Sequence, residues 1–262
     1  MTTETLRTAT ANDGVTLRYL DTGTGDPPLV FVHGWTCNHT NWRNQIAHYS
    51  PNHRVVALDQ RGHGASDKPD QDYMIPGFVD DLAWFINEVG IERPVVIGHS
   101  MGGEIALNLA HKHPDIASAI VMVDSPIVPL PGELEAVQDG VVAAMKSPVY
   151  VTVVEAFARA QFFNDGTPAA LVEELVPLIT SAPQRLMYTA IGSILDPANM
   201  PAGPIPVPAL FIRAATAYAT EDQFRERYPG MQVHTLDTAH FVQMEKPAET
   251  NALIDAFLEE LK

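Results

Sequence analysis

Short apolar runs recur along the chain and alternate with stretches of helical periodicity. "VTLRYLDTG" (15–23) alternates apolar and polar positions after the Asn12-Asp13-Gly14 turn, a pattern typical of an edge strand. "PLVFVHG" (28–34) is a continuous apolar run that ends in glycine, which predicts a buried central strand. Five further segments repeat this second pattern: 54–64, 94–100, 119–125, 208–214 and 231–237.

Helical patterns fill most of the gaps between these strands, over 76–89, 102–112, 221–228 and 247–261. The last of them is amphipathic, and we expect it to close the fold. Buried strands that alternate with helices indicate a parallel sheet covered on both faces. The pattern therefore predicts an α/β fold.

Residues 126–206 interrupt this alternation of strands and helices. They contain no strand pattern, open with "PIVPLPGE", close with "PANMPAGPIPVPA", and hold three or four helical stretches. We expect a helical cap inserted between the sixth and seventh strands of a core domain formed by 1–125 and 207–262. Most apolar side chains of the cap should serve its own packing. The candidates for contact with a substrate are Phe157, Phe162 and Met187 of the cap and Gly34 and Trp35 of the core.

Composition and charge exclude several classes of protein. At 262 residues and 46% hydrophobic, the chain can bury a large core as one domain with an insertion. A formal charge of -16 argues against a nucleic-acid partner, because phosphates would be repelled. No apolar run is long enough to span a bilayer, so no membrane partner is expected.

The N-terminus and the cysteine content point to a cytoplasmic location. "MTTETLRTATANDG" lacks the apolar core of a signal peptide, and Cys37 is the single cysteine, which suits a reducing compartment. Nothing in the sequence indicates a metal ion or an organic cofactor, and the oligomeric state is left open.

A nucleophile motif stands in "VVIGHSMGGEIALNLA", between a buried strand and a helix. Gly98-His99-Ser100-Met101-Gly102 fits the G-x-S-x-G pattern of a nucleophile elbow. Side chains at the two glycines would collide with the neighbouring strand and helix. Ser100 would lie at a helix N-terminus, where unpaired N–H groups favour developing negative charge.

Four motifs resemble those of the α/β-hydrolase superfamily: "FVHGW" (31–35), "LDQRGHGAS" (58–66), "GHSMGG" (98–103) and "AHFVQMEKP" (239–247). The resemblance covers nearly the whole chain outside 126–206. It is highly specific for the fold and much less so for the substrate. It implies a mostly parallel, eight-stranded sheet with helices on both faces and a cap between strands 6 and 7.

The resemblance also implies roles for individual residues. The oxyanion hole would use the backbone N–H groups of Met101 and Trp35, with Gly34 allowing the backbone to approach and His33 bracing the loop. His240, just after the last strand, would be the general base. The Trp35 indole is either packing or a pocket wall.

The acid of a Ser–His–acid triad has no residue at its usual place in this chain. The loop after strand 208–214 offers Ala214, Ala215, Thr216 and Ala217 instead of a carboxylate. The chain order serine, acid, histidine leaves Asp124, at the end of strand 119–125, as the leading candidate.

Some members of the superfamily take the acid from that earlier strand. Glu221 and Asp222 are the rivals, although both also fit the first turn of helix 221–228. A site without an acid also stays open.

The remaining candidates for chemistry have structural interpretations. Asp59 and Arg61 are expected to pair and hold the loop that contains His63. His99 would be architectural, and Cys37, which lacks an elbow, would be a buried thiol.

The sequence predicts a serine hydrolase that cleaves a small or medium apolar carboxylic ester or lactone through an acyl-serine intermediate. One alternative is a cofactor-independent dioxygenase or C–C lyase that uses the His/Asp pair as a base. Another is a binding protein that uses the triad to sense a small molecule. Haloalkane dehalogenases and epoxide hydrolases would need an aspartate in place of Ser100.

Overall fold

An eight-stranded sheet forms the centre of the molecule. The computed structural model describes residues 5–262, apart from the side chains of residues 133 and 135–138. The strands are β1 (Arg7–Thr10), β2 (Thr16–Thr22), β3 (Leu29–Val32), β4 (Val55–Asp59), β5 (Val95–His99), β6 (Ala119–Val123), β7 (Ala209–Ala214) and β8 (Gln232–Leu236). Their spatial order is β1-β2-β4-β3-β5-β6-β7-β8, and all are parallel except at the β1–β2 and β2–β4 pairs.

Ten α-helices surround this sheet in the described part of the chain. They are α1 (Arg43–Tyr49), α2 (Ile75–Glu88), α3 (Met101–Lys112), α4 (Gly132–Met145), α5 (Tyr150–Gln161), α6 (Ala169–Thr180), α7 (Gln184–Ile194), α8 (Glu221–Arg227), α9 (Val242–Glu245) and α10 (Pro247–Glu260). Two short 3-10 helices, His39–Trp42 and Pro197–Asn199, complete the regular structure.

The predicted α/β-hydrolase fold is confirmed, with one strand that the sequence pattern did not reveal. β1 pairs with β2 in antiparallel register, with Arg7 opposite Tyr19. Three of its four residues are exposed, so "RTAT" carries no alternation of apolar and polar positions. The sequence pattern also missed the short helices α1 and α9.

The core lies in two layers, one on each side of the sheet. Alternate residues of the central strands enter opposite layers, so Val30 and Val32 pack on one side while Leu29 and Phe31 pack on the other. The first layer includes apolar side chains of α2, α3 and α8, and the second includes those of α1 and α10. Burial on both faces explains why these strands are apolar throughout.

Helices α4 to α7 lie between β6 and β7, inside the range 126–206 expected for the insertion. Their buried side chains, among them Val154, Leu175 and Leu186, join the first core layer. The Ser193 hydroxyl accepts a hydrogen bond of 2.9 Å from the Ile75 N–H, which ties α7 to the start of α2. The insertion is therefore packed onto the core.

The expected Asp59–Arg61 pair is wrong. Arg61 instead forms ion pairs with Asp13 and, through two hydrogen bonds of 2.7 Å each, with Asp81 on α2. Asp59 is buried and accepts hydrogen bonds from the His39 backbone and ring and from the Ala65 N–H. Asp59 and Arg61 therefore hold the same loop through different hydrogen-bond partners.

Candidate active site

The turn from β5 to α3 carries Ser100 in a backbone conformation that few residues adopt. Its φ is 53° and its ψ is -120°, which lies in the positive-φ region where non-glycine residues are strained. The flanking glycines are sterically required. A Cβ at Gly98 would lie 2.1 Å from the Gly102 carbonyl oxygen, and one at Gly102 would lie 2.1 Å from the Val32 carbonyl oxygen.

His240 and Asp124 form a hydrogen-bonded pair beside this turn. The His240 Nδ1 lies 2.7 Å from Asp124 Oδ2, and both side chains are mostly buried. The second carboxylate oxygen, Oδ1, accepts the Ala214 N–H at 2.9 Å. Asp124 follows β6 directly and also has a positive φ, of 42°. Since the carboxylate accepts at Nδ1, the neutral ring keeps the lone pair on Nε2.

Ser100, Asp124 and His240 all line one cavity, so the structure brings the three predicted residues together. Among the described residues no hydrogen bond joins the Ser100 hydroxyl to the His240 ring. Such bonds are often long in enzymes without substrate and tighten when substrate binds.

The rival carboxylates lie on the surface. Glu221 and Asp222 form the first turn of α8, which Thr220 caps. Glu221 contacts Arg225 and Thr235, and the Asp222 side chain is 99% exposed. Their positions fit stabilisation of the helix N-terminus.

The loop after β3 places backbone N–H groups near Ser100. A Cβ added at Gly34 would lie 3.1 Å from the Ser100 Cβ, so the glycine permits the close approach of the two segments. In the described part of the chain, no hydrogen bond uses the backbone N–H of Trp35 or of Met101. Both donors thus stay free for an oxygen atom bound between them.

His33 is held as a neutral ring that fixes this loop. Its Nδ1–H donates to the Gly34 carbonyl at 2.8 Å, and its Nε2 accepts the Gln60 N–H at 3.0 Å. Complete burial lowers the pKa of His33 to about 4, so the ring stays uncharged at neutral pH.

His99 contacts the backbone of the predicted base. Burial lowers its pKa well below the usual value, and its Nε2–H donates to the His240 carbonyl at 2.9 Å. Cys37 is buried, and burial raises the pKa of its thiol to about 12, which makes it a poor nucleophile.

The cavity has a volume of about 240 Å³ and a mostly apolar wall. Of the predicted contact residues, Trp35, Phe157 and Phe162 line it. Further apolar side chains line the wall: Leu130, Leu134, Ile191, Ile194, Leu195 and Phe224. Among the described lining residues there is no lysine or arginine.

Two predicted contact residues lie outside this wall. Met187 is fully buried, and its carbonyl accepts the Trp35 indole N–H at 3.2 Å, so it supports the wall from behind. Gly34 lies beneath Ser100. Four polar lining residues were not predicted: Ser125, Gln161, Thr216 and Tyr218. Sequence position gave a signal for two of them: Ser125 follows Asp124, and Thr216 lies in the loop where the triad acid is usually found.

The described residues contain no group of three or more His, Cys, Asp or Glu side chains placed to hold a metal ion. None of their helices is long and apolar enough to cross a membrane.

A model of the alpha/beta hydrolase fold family matches residues 27–165, more than half of the chain, and the chain therefore belongs to that family. The 2-(acetamidomethylene)succinate hydrolase of Mesorhizobium japonicum is 27% identical, over 94% of this chain and 92% of the relative. Together with the family match, this likeness identifies a hydrolase.

Solved structures share the fold over almost the entire chain. A hydrolase from Pseudomonas aeruginosa PA01 superposes with a TM-score of 0.85 at 20% identity, covering 98% of this chain and 99% of that one. The enol-lactonase from Burkholderia xenovorans LB400 superposes with a TM-score of 0.83 at 22% identity, covering 97% and 100%.

Proposed function

We propose that this protein is a serine hydrolase that cleaves a small or medium, apolar carboxylic ester or lactone through an acyl-serine intermediate. The observation that carries the proposal is the 2.7 Å contact between His240 Nδ1 and Asp124 at the wall of the cavity that also contains Ser100. A strained serine, an imidazole and an orienting carboxylate are the parts that nucleophilic acyl transfer needs.

In the first half-reaction, His240 Nε2 takes the proton of the Ser100 hydroxyl as the oxygen attacks the carbonyl carbon. Asp124 holds the ring through Nδ1 and stabilises the imidazolium that forms. The free N–H groups of Trp35 and Met101 stabilise the negative oxygen of the tetrahedral intermediate. The alcohol leaves with the proton from His240.

In the second half-reaction, water attacks the acyl-serine. His240 removes a proton from the water and returns it to Ser100, so the enzyme is regenerated without net transfer of electrons. In a lactone the leaving alcohol stays attached to the acyl chain, and the product is a hydroxy acid.

The size and the wall of the cavity support a small, uncharged substrate. About 240 Å³ admits a compact molecule, and Trp35, Phe157 and Phe162 offer it apolar surface. A substrate carboxylate buried against this wall would find no cationic partner among the described lining residues, which is costly. The similar structures include an enol-lactonase, which agrees with the ester or lactone class.

A screen of p-nitrophenyl esters of increasing chain length, together with lactones, tests this proposal. We expect cleavage of short and medium esters, and loss of that cleavage in Ser100→Ala. Turnover retained in Ser100→Ala would contradict the covalent mechanism and favour proton abstraction by His240 without a covalent intermediate.

The preference for uncharged acyl groups is a separate prediction. The value of kcat/KM for p-nitrophenyl butyrate should exceed that for mono-p-nitrophenyl succinate, which ends in a carboxylate, by at least about 100-fold. Leu134→Arg, at a wall position that is 42% exposed, should narrow the ratio by supplying a cation. Equal kcat/KM values in the unmodified protein would show that charge is not selected against.

A further inference from the structure

The Phe162 ring is stacked on the ring of His240. The two centroids are 4.6 Å apart, and the ring planes differ by 20°. Aromatic rings favour offset stacking at this separation. Such a contact stabilises the structure by more than the burial of its apolar area alone would. Phe162 directly follows Gln161, the last residue of helix α5 of the insertion, and is its C-cap. A side chain of the insertion thus touches the group to which we assign proton transfer.

The same two segments are joined at two further points. The His240 N–H donates to the Phe162 carbonyl at 3.3 Å. The next residue of each segment repeats the stacking, since the Phe163 and Phe241 rings are 5.7 Å apart at 19°. Two consecutive residues after α5 are therefore docked on two consecutive residues of the loop after β8. A pairing in register at three contacts fixes the relative position of the segments.

Asp124 alone does not determine the orientation of the imidazole. The covalent bond to Cβ and a single hydrogen bond at Nδ1 still allow the ring to tilt, and a tilt moves Nε2 relative to Ser100. Contacts on the ring itself limit such motion. His99, at 4.7 Å between centroids, supplies one, and Phe162 supplies the contact closest to parallel.

The stack has an electrostatic consequence during the reaction. When His240 takes the Ser100 proton, the ring becomes an imidazolium, and an aromatic face attracts a cation placed over it. The interaction is stronger in the protonated ring than in the neutral one, so it favours the charged intermediate over the ground state. A leucine of similar volume would keep the apolar contact and lose this term.

We propose that Phe162 is a positioning residue for the catalytic base: by stacking on His240 it holds the imidazole in the orientation that reaches Ser100, so catalysis depends on the docking of α5. The proposal rests on the proposed function, because it takes His240 to be the base. In addition to lining the cavity wall, Phe162 affects the rate of the chemical step through its contact with His240.

Phe157 provides the matched control. It lies on the same helix, lines the same cavity and packs against Trp35 and Phe162, at 6.0 and 5.5 Å between centroids. Unlike Phe162, it has no ring contact with His240 among the described aromatic pairs. Phe157→Leu therefore removes an aromatic wall residue and one neighbour of Phe162, while both rings of the stack remain.

The test measures kcat and KM for p-nitrophenyl acetate, whose acyl group is too small to depend on the wall, in Phe162→Leu, Phe162→Tyr and Phe157→Leu. Phe162→Leu should lower kcat about 10- to 100-fold with KM little changed, the range expected when a reacting group is misplaced. Phe162→Tyr should retain kcat, and Phe157→Leu should act mainly on KM for longer esters. The rate at which a fluorophosphonate labels Ser100 should fall further in Phe162→Leu than in Phe157→Leu, because labelling needs the base.

Histidine ring NMR reads the stack directly. The His240 ring protons should show an upfield ring-current shift that Phe162→Leu removes, and the rest of the spectrum reports whether the variant is folded. A folded Phe162→Leu protein with the kcat and labelling rate of the unmodified protein would overturn this proposal alone. An unmodified protein that neither cleaves esters nor reacts with the fluorophosphonate would overturn the proposed function, and this role of Phe162 with it.

Discussion

Asp124 uses its two carboxylate oxygens for two different neighbours. Oδ2 contacts the His240 ring, and Oδ1 accepts the Ala214 N–H at the end of β7. The backbone of β7, the strand after which the triad acid usually lies, therefore helps to hold Asp124. The arrangement fixes the carboxylate while leaving it aimed at Nδ1.

Asp124→Asn should lower kcat for ester cleavage by about 10⁴-fold, the size of the corresponding effect in a serine protease triad. An amide can present its NH₂ group to His240, which favours the wrong tautomer of the ring. Asp222→Asn is the matched control, because the Asp222 side chain is 99% exposed. Steady-state kinetics of the two variants decide the assignment, which fails if Asp222→Asn is the one that loses activity.

Glu104 lies in the first turn of α3, close to Ser100, and is completely buried. Neither of its carboxylate oxygens has a hydrogen-bond partner among the described residues. Burial, and to a smaller extent the Asp196 carboxylate, raise its pKa well above the usual value. In the unfolded chain this carboxyl ionises near its ordinary pKa of 4.5. The stability linked to its proton is therefore fully present below pH 4.5 and is lost as pH rises towards the folded-state pKa.

Glu104→Gln should accordingly stabilise the protein more at pH 8 than at pH 5, since glutamine binds no proton. Urea unfolding at both pH values measures the difference in the free energy of unfolding. The exposed Glu226→Gln variant should show no such dependence. A Glu104→Gln effect of equal size at the two pH values would argue against a buried, protonated acid.

The sequence predicted single site residues where a motif fixed both residue type and position. Ser100 and His240 lie in motifs that match the family, and Asp124 followed from the alanines after β7. Met187 and the polar wall residues could not be placed in this way. The side chains of a helical insertion that face the cavity depend on how its helices dock. The 3.6-residue period shows which face of a helix is apolar, but it does not show which element that face packs against.

At the scale of elements, steric contact leaves very little space around the β5–α3 turn. The turn crosses β3 so closely that a Cβ at Gly102 would overlap the Val32 carbonyl, at 2.1 Å. The helix N-terminus and the loop after β3 can approach each other only because of this glycine. The loop after β3 also comes close to Ser100, since a Cβ at Gly34 would lie 3.1 Å from the Ser100 Cβ.

Gly102→Ala should therefore destabilise the fold by about 3 kcal/mol or more, because backbone atoms must shift. Gly192→Ala in α7 is the opposite case, since nothing lies within 4 Å of the added Cβ. It should gain about 0.5–1 kcal/mol from the better helix propensity of alanine. Chemical denaturation compares the two, and equal effects would mean that the close approach is not tight.

Most of the long elements could be predicted from the sequence. A strand that is buried on both faces needs an apolar residue at almost every position, as in β3 to β6, and this gives a continuous apolar run. The pattern failed where packing is one-sided or the element is short. β1 is held by backbone pairing to β2 and buries a single side chain, Ala9. The Asp59–Arg61 pair failed for a different reason, because Asp13 and Asp81 are far from Arg61 in sequence and near it in space.

At the scale of the whole molecule, three uncharged histidines are buried around the site. Burial lowers the pKa of His33 to about 4 and that of His63 to about 3, and it takes the pKa of His99 well below its usual value. In the unfolded chain these rings bind protons near pH 6.5. Their contribution to stability is therefore present above pH 6.5 and is lost as pH falls towards the folded-state values.

The free energy of unfolding should fall steeply between pH 6.5 and about 4, by up to about 1.4 kcal/mol per pH unit for each such histidine. His63→Asn removes one titrating ring while an amide can still donate to the Arg61 carbonyl, and it should reduce the slope. Urea unfolding across this range gives both slopes. Stability that stays constant down to pH 4.5 would contradict the burial of neutral rings.

Ser100, Asp124 and His240 follow the ends of β5, β6 and β8 and line the same cavity. This arrangement is the basis of the proposed chemistry. The most direct test is to mix the protein with p-nitrophenyl butyrate, quench in acid during turnover, and measure the intact mass. We expect one added butyryl group per chain, located on Ser100 by peptide mapping and missing in Ser100→Ala. Ester turnover that continues without any adduct on Ser100, or that survives in Ser100→Ala, would contradict the covalent mechanism.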